Sequence, residues 1–202
     1  MAKKKSLMKL FFAICLSGIT LFVTDSYAAV FEPYLQDPHY YDGNYSDLDD
    51  LDHWYYYQWV IQWDIPPGEE IIAATLRIEN INDWTVEAND ILYIHLLDFT
   101  ASTPAGVTYG YDAQGGPAPG IRDNFHGQGI LLPTYTDDDF WPNPSEDWSH
   151  PFDSAQIAAL TSYASDGRFG FGFDPDCHYW NDGVSFQITT LQKFLSQLLY
   201  RF

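Results

Sequence analysis

Asp42, Asn44, Asp47 and Asp49 stand in an acidic run, Asp42 to Asp52, that offers side-chain oxygens at close intervals. Such oxygens are what a hard cation such as calcium requires. The spacing is not that of an EF-hand, because Asp47 stands where that loop needs glycine and His53 where it needs glutamate. A solvated acidic loop is the alternative reading. A second set, Asp174, Asp176 and Asp182, lies in a loop between two apolar alternations, placed to converge on one cation at the loop's tip. The competing reading there is a plain turn, since Asn181-Asp182-Gly183 has turn chemistry of its own. Cys177 and His178 are softer donors. Neighbours in an extended chain point to opposite faces, which argues against their gripping one zinc ion together.

The other chemistry-bearing surplus is aromatic. Trp54, Trp84, Trp141, Trp148 and Trp180, with Tyr56, fall at strand edges or in loops. Sugar rings stack on exposed aromatic faces, while nearby carboxylates and amides bond the hydroxyls. Packing beneath long loops is the other reading of the same tryptophans. Trp59 and Trp63 share an apolar face and read as core. Support for catalysis is thin: the chain has no G-x-S-x-G, no H-E-x-x-H and no P-loop. In a chain so rich in acids, any pair of carboxylates chosen as glycosidase groups is a matter of chance. His95, within a strand pattern, reads as structural rather than as a base.

The first 28 residues carry a destination. Lys3, Lys4, Lys5 and Lys9 precede an apolar stretch from Leu10 to Val23, and Ser26-Tyr27-Ala28 follows. This order describes a secretory signal peptide, cleaved after Ala28. The apolar stretch is shorter than the roughly 20 residues of a bilayer span. Ile14 before Cys15 argues against lipid attachment there. Cleavage would remove four bases and Asp25, leaving five bases against 27 acids, a net charge of −22. Such a field excludes nucleic acid and anionic membrane surfaces as partners, because both need a basic footprint. Of the 27 acids, 21 are Asp, the residue suited to turns, caps and calcium loops. Cys177 would be the only mature cysteine, so no intramolecular disulfide can form.

The elements that must position these residues are mostly strands. Tyr55, Tyr57, Trp59, Ile61, Trp63 and Ile65 alternate with Tyr56, Gln58, Val60, Gln62 and Asp64 until Pro66-Pro67-Gly68 stops the pattern. Ile72, Ala74, Leu76 and Ile78 form the apolar face of a second strand, and Leu92, Ile94 and Leu96 that of a third within 90–98. Residues 80–89 read as a polar connection and 99–152 as a long irregular region, with short strands near 106–111 and 129–132. Asp153 or Ser154 caps a short helix to about Tyr163, which Asp166-Gly167 ends. Phe169, Phe171 and Phe173 alternate with Gly170 and Gly172, and Val184, Phe186 and Ile188 alternate again. These last two strands are expected to pair as an antiparallel hairpin. Leu191, Phe194, Leu195, Leu198, Leu199 and Phe202 follow a helical period.

Two stretches carry a family resemblance. Ile65-Pro66-Pro67-Gly68-Glu69-Glu70-Ile71 leading into Ala73-Ala74-Thr75-Leu76-Arg77-Ile78 resembles bacterial surface β-sandwich modules of the DNRLRE kind. Ala164-Ser165-Asp166-Gly167-Arg168 and Phe173-Asp174-Pro175-Asp176-Cys177-His178-Tyr179 resemble the closing part of exported modules in proteins with a Pro-Glu-Pro C-terminal sorting tail. The resemblance covers less than half of the mature chain, and the chain lacks Pro-Glu-Pro itself, a terminal apolar span and a final basic cluster. It implies export and an extracellular or cell-surface setting.

The expectation is a signal peptide over 1–28, an all-β domain over 29–190 and an amphipathic segment over 191–202. The domain is expected to be an antiparallel β-sandwich of jelly-roll type with one short helix. The function expected is that of a secreted or cell-surface, non-catalytic protein, with periplasmic residence open. It would bind polysaccharide, with calcium ordering the Asp-rich loops. The alternatives are a purely structural matrix protein and a glycan-active hydrolase.

Overall fold

A computed structural model describes residues 3–6, 26–33, 48–83, 90–112, 123–137 and 145–193. The strands in chain order are β1 (Lys3–Ser6), β2 (Ser26–Phe31), β3 (Asp50–Leu51), β4 (Tyr55–Gln62), β5 (Glu69–Asp83), β6 (Ile91–Asp98) and β7 (Gly106–Tyr111). They continue with β8 (Ile130–Leu131), β9 (Tyr135–Thr136), β10 (Glu146–Pro151), β11 (Arg168–Pro175), β12 (Tyr179–Trp180) and β13 (Gly183–Gln192). Among the described residues one α-helix, α1 (Ser154–Tyr163), continued by a 3-10 turn over Ala164–Asp166, precedes β11. One sheet runs β1-β2-β13-β5-β12-β3, with β10 also on β5; the other runs β7-β4-β11-β6-β8, with β9 also on β6. Every pairing is antiparallel. The expected all-β sandwich is the fold observed.

The core lies between the sheets, where alternation put it. Tyr57, Trp59 and Ile61 of β4 point inward, as do Leu92, Ile94 and Leu96 of β6 and Phe169, Phe171 and Phe173 of β11. Opposite them stand Leu76 and Ile78 of β5 and Phe186 and Ile188 of β13. The Phe171 and Phe186 rings meet edge to face, with centroids 4.8 Å apart. Each such buried side chain contributes about 1.5–3 kcal/mol.

The structure corrects the expected hairpin of 168–173 with 184–188. β11 pairs with β4 and β6, whereas β13 pairs with β2 and β5. The two strands therefore face each other across the core. Both alternate apolar residues, and that pattern is the same for partners in one sheet and for partners in opposite sheets.

β5 also departs from a simple alternation. Ile71 is buried and Ile72 is 46% exposed, because the register with β13 shifts between Thr189 and Thr190. A bulge of this kind turns one residue out of step and reverses the faces beyond it. Near its other end Asn80 takes a left-handed φ of 50°, and the strand continues to Asp83 with Ile81 buried. The first four residues of the expected polar connection, 80–83, thus belong to β5.

α1 is capped as expected. The Asp153 carboxylate accepts from the Gln156 N–H, and the Gln156 side chain accepts from the Asp153 N–H, a reciprocal capping box. Gly167, at φ 84°, turns the chain into β11. Leu191 and Gln192, expected to open a terminal helix, are the last residues of β13, and the Lys193 N–H donates to the Gly68 carbonyl; residues 194–202 lie outside the described residues.

Candidate functional site

The two acidic stretches that read as separate sites meet in space. β12 lies between β3 and the end of β5, with Tyr179 opposite Leu51 and Asp83, and Trp180 opposite Asp50 and Asn82. Asn181 ties the joint: its Nδ2 donates to the Leu48 carbonyl at 2.8 Å and its N–H to the Asp49 carbonyl at 3.0 Å. Its Oδ1 accepts from the Gly183 N–H at 2.9 Å, closing the turn into β13. Leu48, wholly buried, is held at φ 71°, a conformation uncommon outside glycine and asparagine.

Cys177 and His178, in the short bend between β11 and β12, fall into different groups. Cys177 joins Asp83 and Asp90 in a buried group whose ligand atoms all lie within 4.8 Å of one another. Tyr179, two residues further along the chain, is wholly buried, and its hydroxyl has no hydrogen-bond partner among the described residues. Burial raises the Tyr179 phenol's pKa, and the charges of Cys177, Asp90 and Asp83 push it further the same way. His178 joins Asp52 and His53, again within 4.8 Å. Its Nε2 bonds the Asp50 carboxylate. The Asp52 Oδ1 lies 3.6 Å from His53 Nδ1 and accepts from the Trp54 N–H at 3.0 Å.

A third group of acids lies beneath β6 and β11. Asp112, Asp123 and Asp174 are all buried. Asp174 accepts from the Asn124 N–H at 2.5 Å and from its Nδ2 at 3.2 Å. Burial pushes its pKa up to about 7; the Asn124 bonds oppose this, and the Asp112 and Asp123 charges add to it. His95 is buried, with Nε2 2.9 Å from Asp123 Oδ2 and Nδ1 3.0 Å from the Gln128 carbonyl. Both ring nitrogens are thus engaged inside the protein.

The residues expected to bind metal are distributed as follows. Asp42, Asn44 and Asp47 lie outside the described residues. Asp49 sits at the joint and supplies its carbonyl to Asn181. Asp176 is buried, and its N–H donates to the Ile91 carbonyl at 2.9 Å. Asp182 is exposed and accepts from Asn80 Nδ2 at 2.5 Å. Among the described residues, Asp174, Asp176 and Asp182 do not form one such close group.

Of the five tryptophans expected to bind ligand, Trp84 and Trp141 lie outside the described residues. Trp148 is partly buried against the core. Trp180 is half-covered, its ring 5.3 Å from that of His178. Trp54 is 45% exposed, and its ring lies parallel to that of Tyr111 within 8°, with centroids 6.5 Å apart. Tyr111 is 65% exposed and Tyr109, on the same face of edge strand β7, 52%. Register explains this surface. Tyr109 and Tyr111 pair with Tyr57 and Tyr55 and so share the inward face of the sheet, but at its edge they pass beyond the opposite sheet's cover. The Tyr109-x-Tyr111 alternation was visible in the sequence; that it lay on an edge was not.

A cleft of about 520 Å³ opens at the far end of β4, lined by Phe31, Trp59, Gln62, Trp63 and Asp64 among others. The Trp63 ring there is packed edge to face on Phe31 and Phe169 at 6.1 and 6.4 Å, so it serves the core rather than presenting a free face. Among the described residues, no helix is long and apolar enough to cross a membrane. No family model matches this chain, no curated protein is significantly similar to it, and no solved structure is either.

Proposed function

We propose that this protein is a secreted or cell-surface, non-catalytic β-sandwich that binds carbohydrate on the Trp54–Tyr111–Tyr109 surface. The observation that carries the reading is the pair of near-parallel, exposed rings of Trp54 and Tyr111. Exposed aromatic faces with polar groups beside them suit a sugar's apolar face and its hydroxyls, and Asp52 and His53 flank Trp54. A net charge of −22 after cleavage would repel anionic glycans, so the partner is a neutral polysaccharide.

The test is affinity electrophoresis against neutral and acidic polysaccharides, followed by calorimetry on those that retard the protein. Trp54→Ala and Tyr111→Ala are each expected to weaken binding about tenfold or more, near 1.4 kcal/mol. Because both side chains are exposed, stability should change by no more than about 0.5 kcal/mol. Absence of saturable binding across the panel, or binding indifferent to both substitutions, would move the weight to a purely structural role.

A further inference from the structure

We infer that Asp52, His53 and His178 form a binding site for a divalent transition ion of the zinc class. The donor set is one carboxylate and two imidazoles, with ligand atoms within 4.8 Å of one another. Imidazole suits zinc, copper and nickel, whereas calcium asks for six to eight oxygens, which these three residues do not offer.

The spacing fits. Bonds of 2.0–2.1 Å in tetrahedral geometry put neighbouring donors roughly 3.3 Å apart. The Asp52 Oδ1 to His53 Nδ1 distance is 3.6 Å, so shifts of tenths of an ångström bring that pair into place, and the His178 donor, within 4.8 Å of both, has at most about 1.5 Å to close by ring rotation. His178 has the partner that ligating histidines characteristically have: the Asp50 carboxylate on Nε2, which fixes the ring's orientation and raises the basicity of the other nitrogen. Asp50 and His178 are held in place by the pairing of β3 with β12 and by the Asn181 bonds to Leu48 and Asp49.

The site is also accessible. The side chains of Asp52, His53 and His178 are 16%, 26% and 11% exposed, enough for an ion to enter. Three protein ligands leave a fourth position for water or an incoming group, the pattern of open rather than purely structural zinc sites. The His53 ring lies 5.0 Å from that of Trp54, so the ion would sit beside the aromatic surface. The assignment does not depend on what that surface binds.

The test uses the full chain stripped with chelator and titrated separately with zinc, calcium and magnesium by calorimetry. Zinc is expected to bind saturably at one equivalent through this site. His178→Ala should abolish this, and His53→Ala, at a more exposed position, should weaken it strongly with the circular dichroism unchanged. Asp50→Asn, which keeps shape but removes the charge behind His178, is expected to cost 10–100-fold in zinc affinity. Cobalt in place of zinc should give visible ligand-field bands without a thiolate charge-transfer band, and Cys177→Ser should leave them unaltered. The assignment fails if zinc does not bind saturably, or if binding survives both histidine substitutions. It fails equally if Cys177→Ser abolishes binding, which would place the ion with Asp83 and Asp90, or if calcium alone binds.

Discussion

Asp174 is 1% exposed beside Asp112 and Asp123, and burial there raises its pKa from 3.8 to about 7. A carboxyl whose folded pKa is raised holds its proton more tightly in the folded state than in the unfolded one. Its contribution is therefore present at low pH, falls as pH rises from about 4 to about 7, and is flat above that. At about 1.4 kcal/mol per unit, the loss across the window is on the order of 4 kcal/mol. Urea denaturation of the wild type and Asp174→Asn between pH 5 and pH 8 measures it. The wild type is expected to lose stability across that range relative to the variant, and parallel curves would refute the assignment. The buried position of Asp174 was not legible from its sequence, which reads as a loop aspartate after Phe173. Asp174 alternates with the inward-facing Phe173 and so lies on the other face of β11, where the Asn124–Phe125 stretch folds over it. The contrast with Asp153 is instructive: its capping role needs only Gln156 three residues on, so the sequence placed the cap to within one residue, Asp153 or Ser154.

At the scale of elements, β11 shows why local pattern went so far and then stopped. Phe169, Phe171 and Phe173 on one face, with glycines between them, predicted a strand with a single aromatic side, and all three are wholly buried. The glycines have their own reason. A Cβ on Gly170 would lie 1.9 Å from the Trp59 carbonyl oxygen of β4, and one on Gly172 would lie 2.7 Å from the Phe125 ring. Gly170→Ala is thus expected to destabilise by at least the 1–3 kcal/mol typical of overpacking, because backbone rather than a flexible side chain must yield. Thermal or chemical denaturation checks this, and a change below about 0.5 kcal/mol would show that β4 and β11 separate at little cost. The strand's partners were not legible, since a run of phenylalanines specifies burial and not which sheet supplies it. β3 and β12, two residues each, carry almost no periodic signal, yet β12's pairing with β3 on one side and β5 on the other brings His178 to Asp50.

At the scale of the whole molecule, β1 and the first half of β2 fall within the expected signal peptide. Cleavage after Ala28 would leave Ala29, Val30 and Phe31 paired with Ile188, Gln187 and Phe186, and β13 would keep its ten paired residues on β5. Mass spectrometry of the exported protein is expected to find Ala29 at the amino terminus; a chain beginning at Met1 would overturn the signal reading. The sequence by itself determined the acidity, the predominance of strands, the helix with its cap and the inward residues of β4, β6 and β11. These depend on composition, on a period of two and on contacts a few residues long. Tertiary structure alone decided that β11 and β13 oppose each other across the core, and that Tyr109 and Tyr111 emerge at an edge. It also decided that Asp50, Asp52 and His53 gather around His178, and that Asp83 and Asp90 gather around Cys177. Those juxtapositions join residues up to 128 apart in the chain, and alternation alone does not encode which strands pair or where a sheet ends.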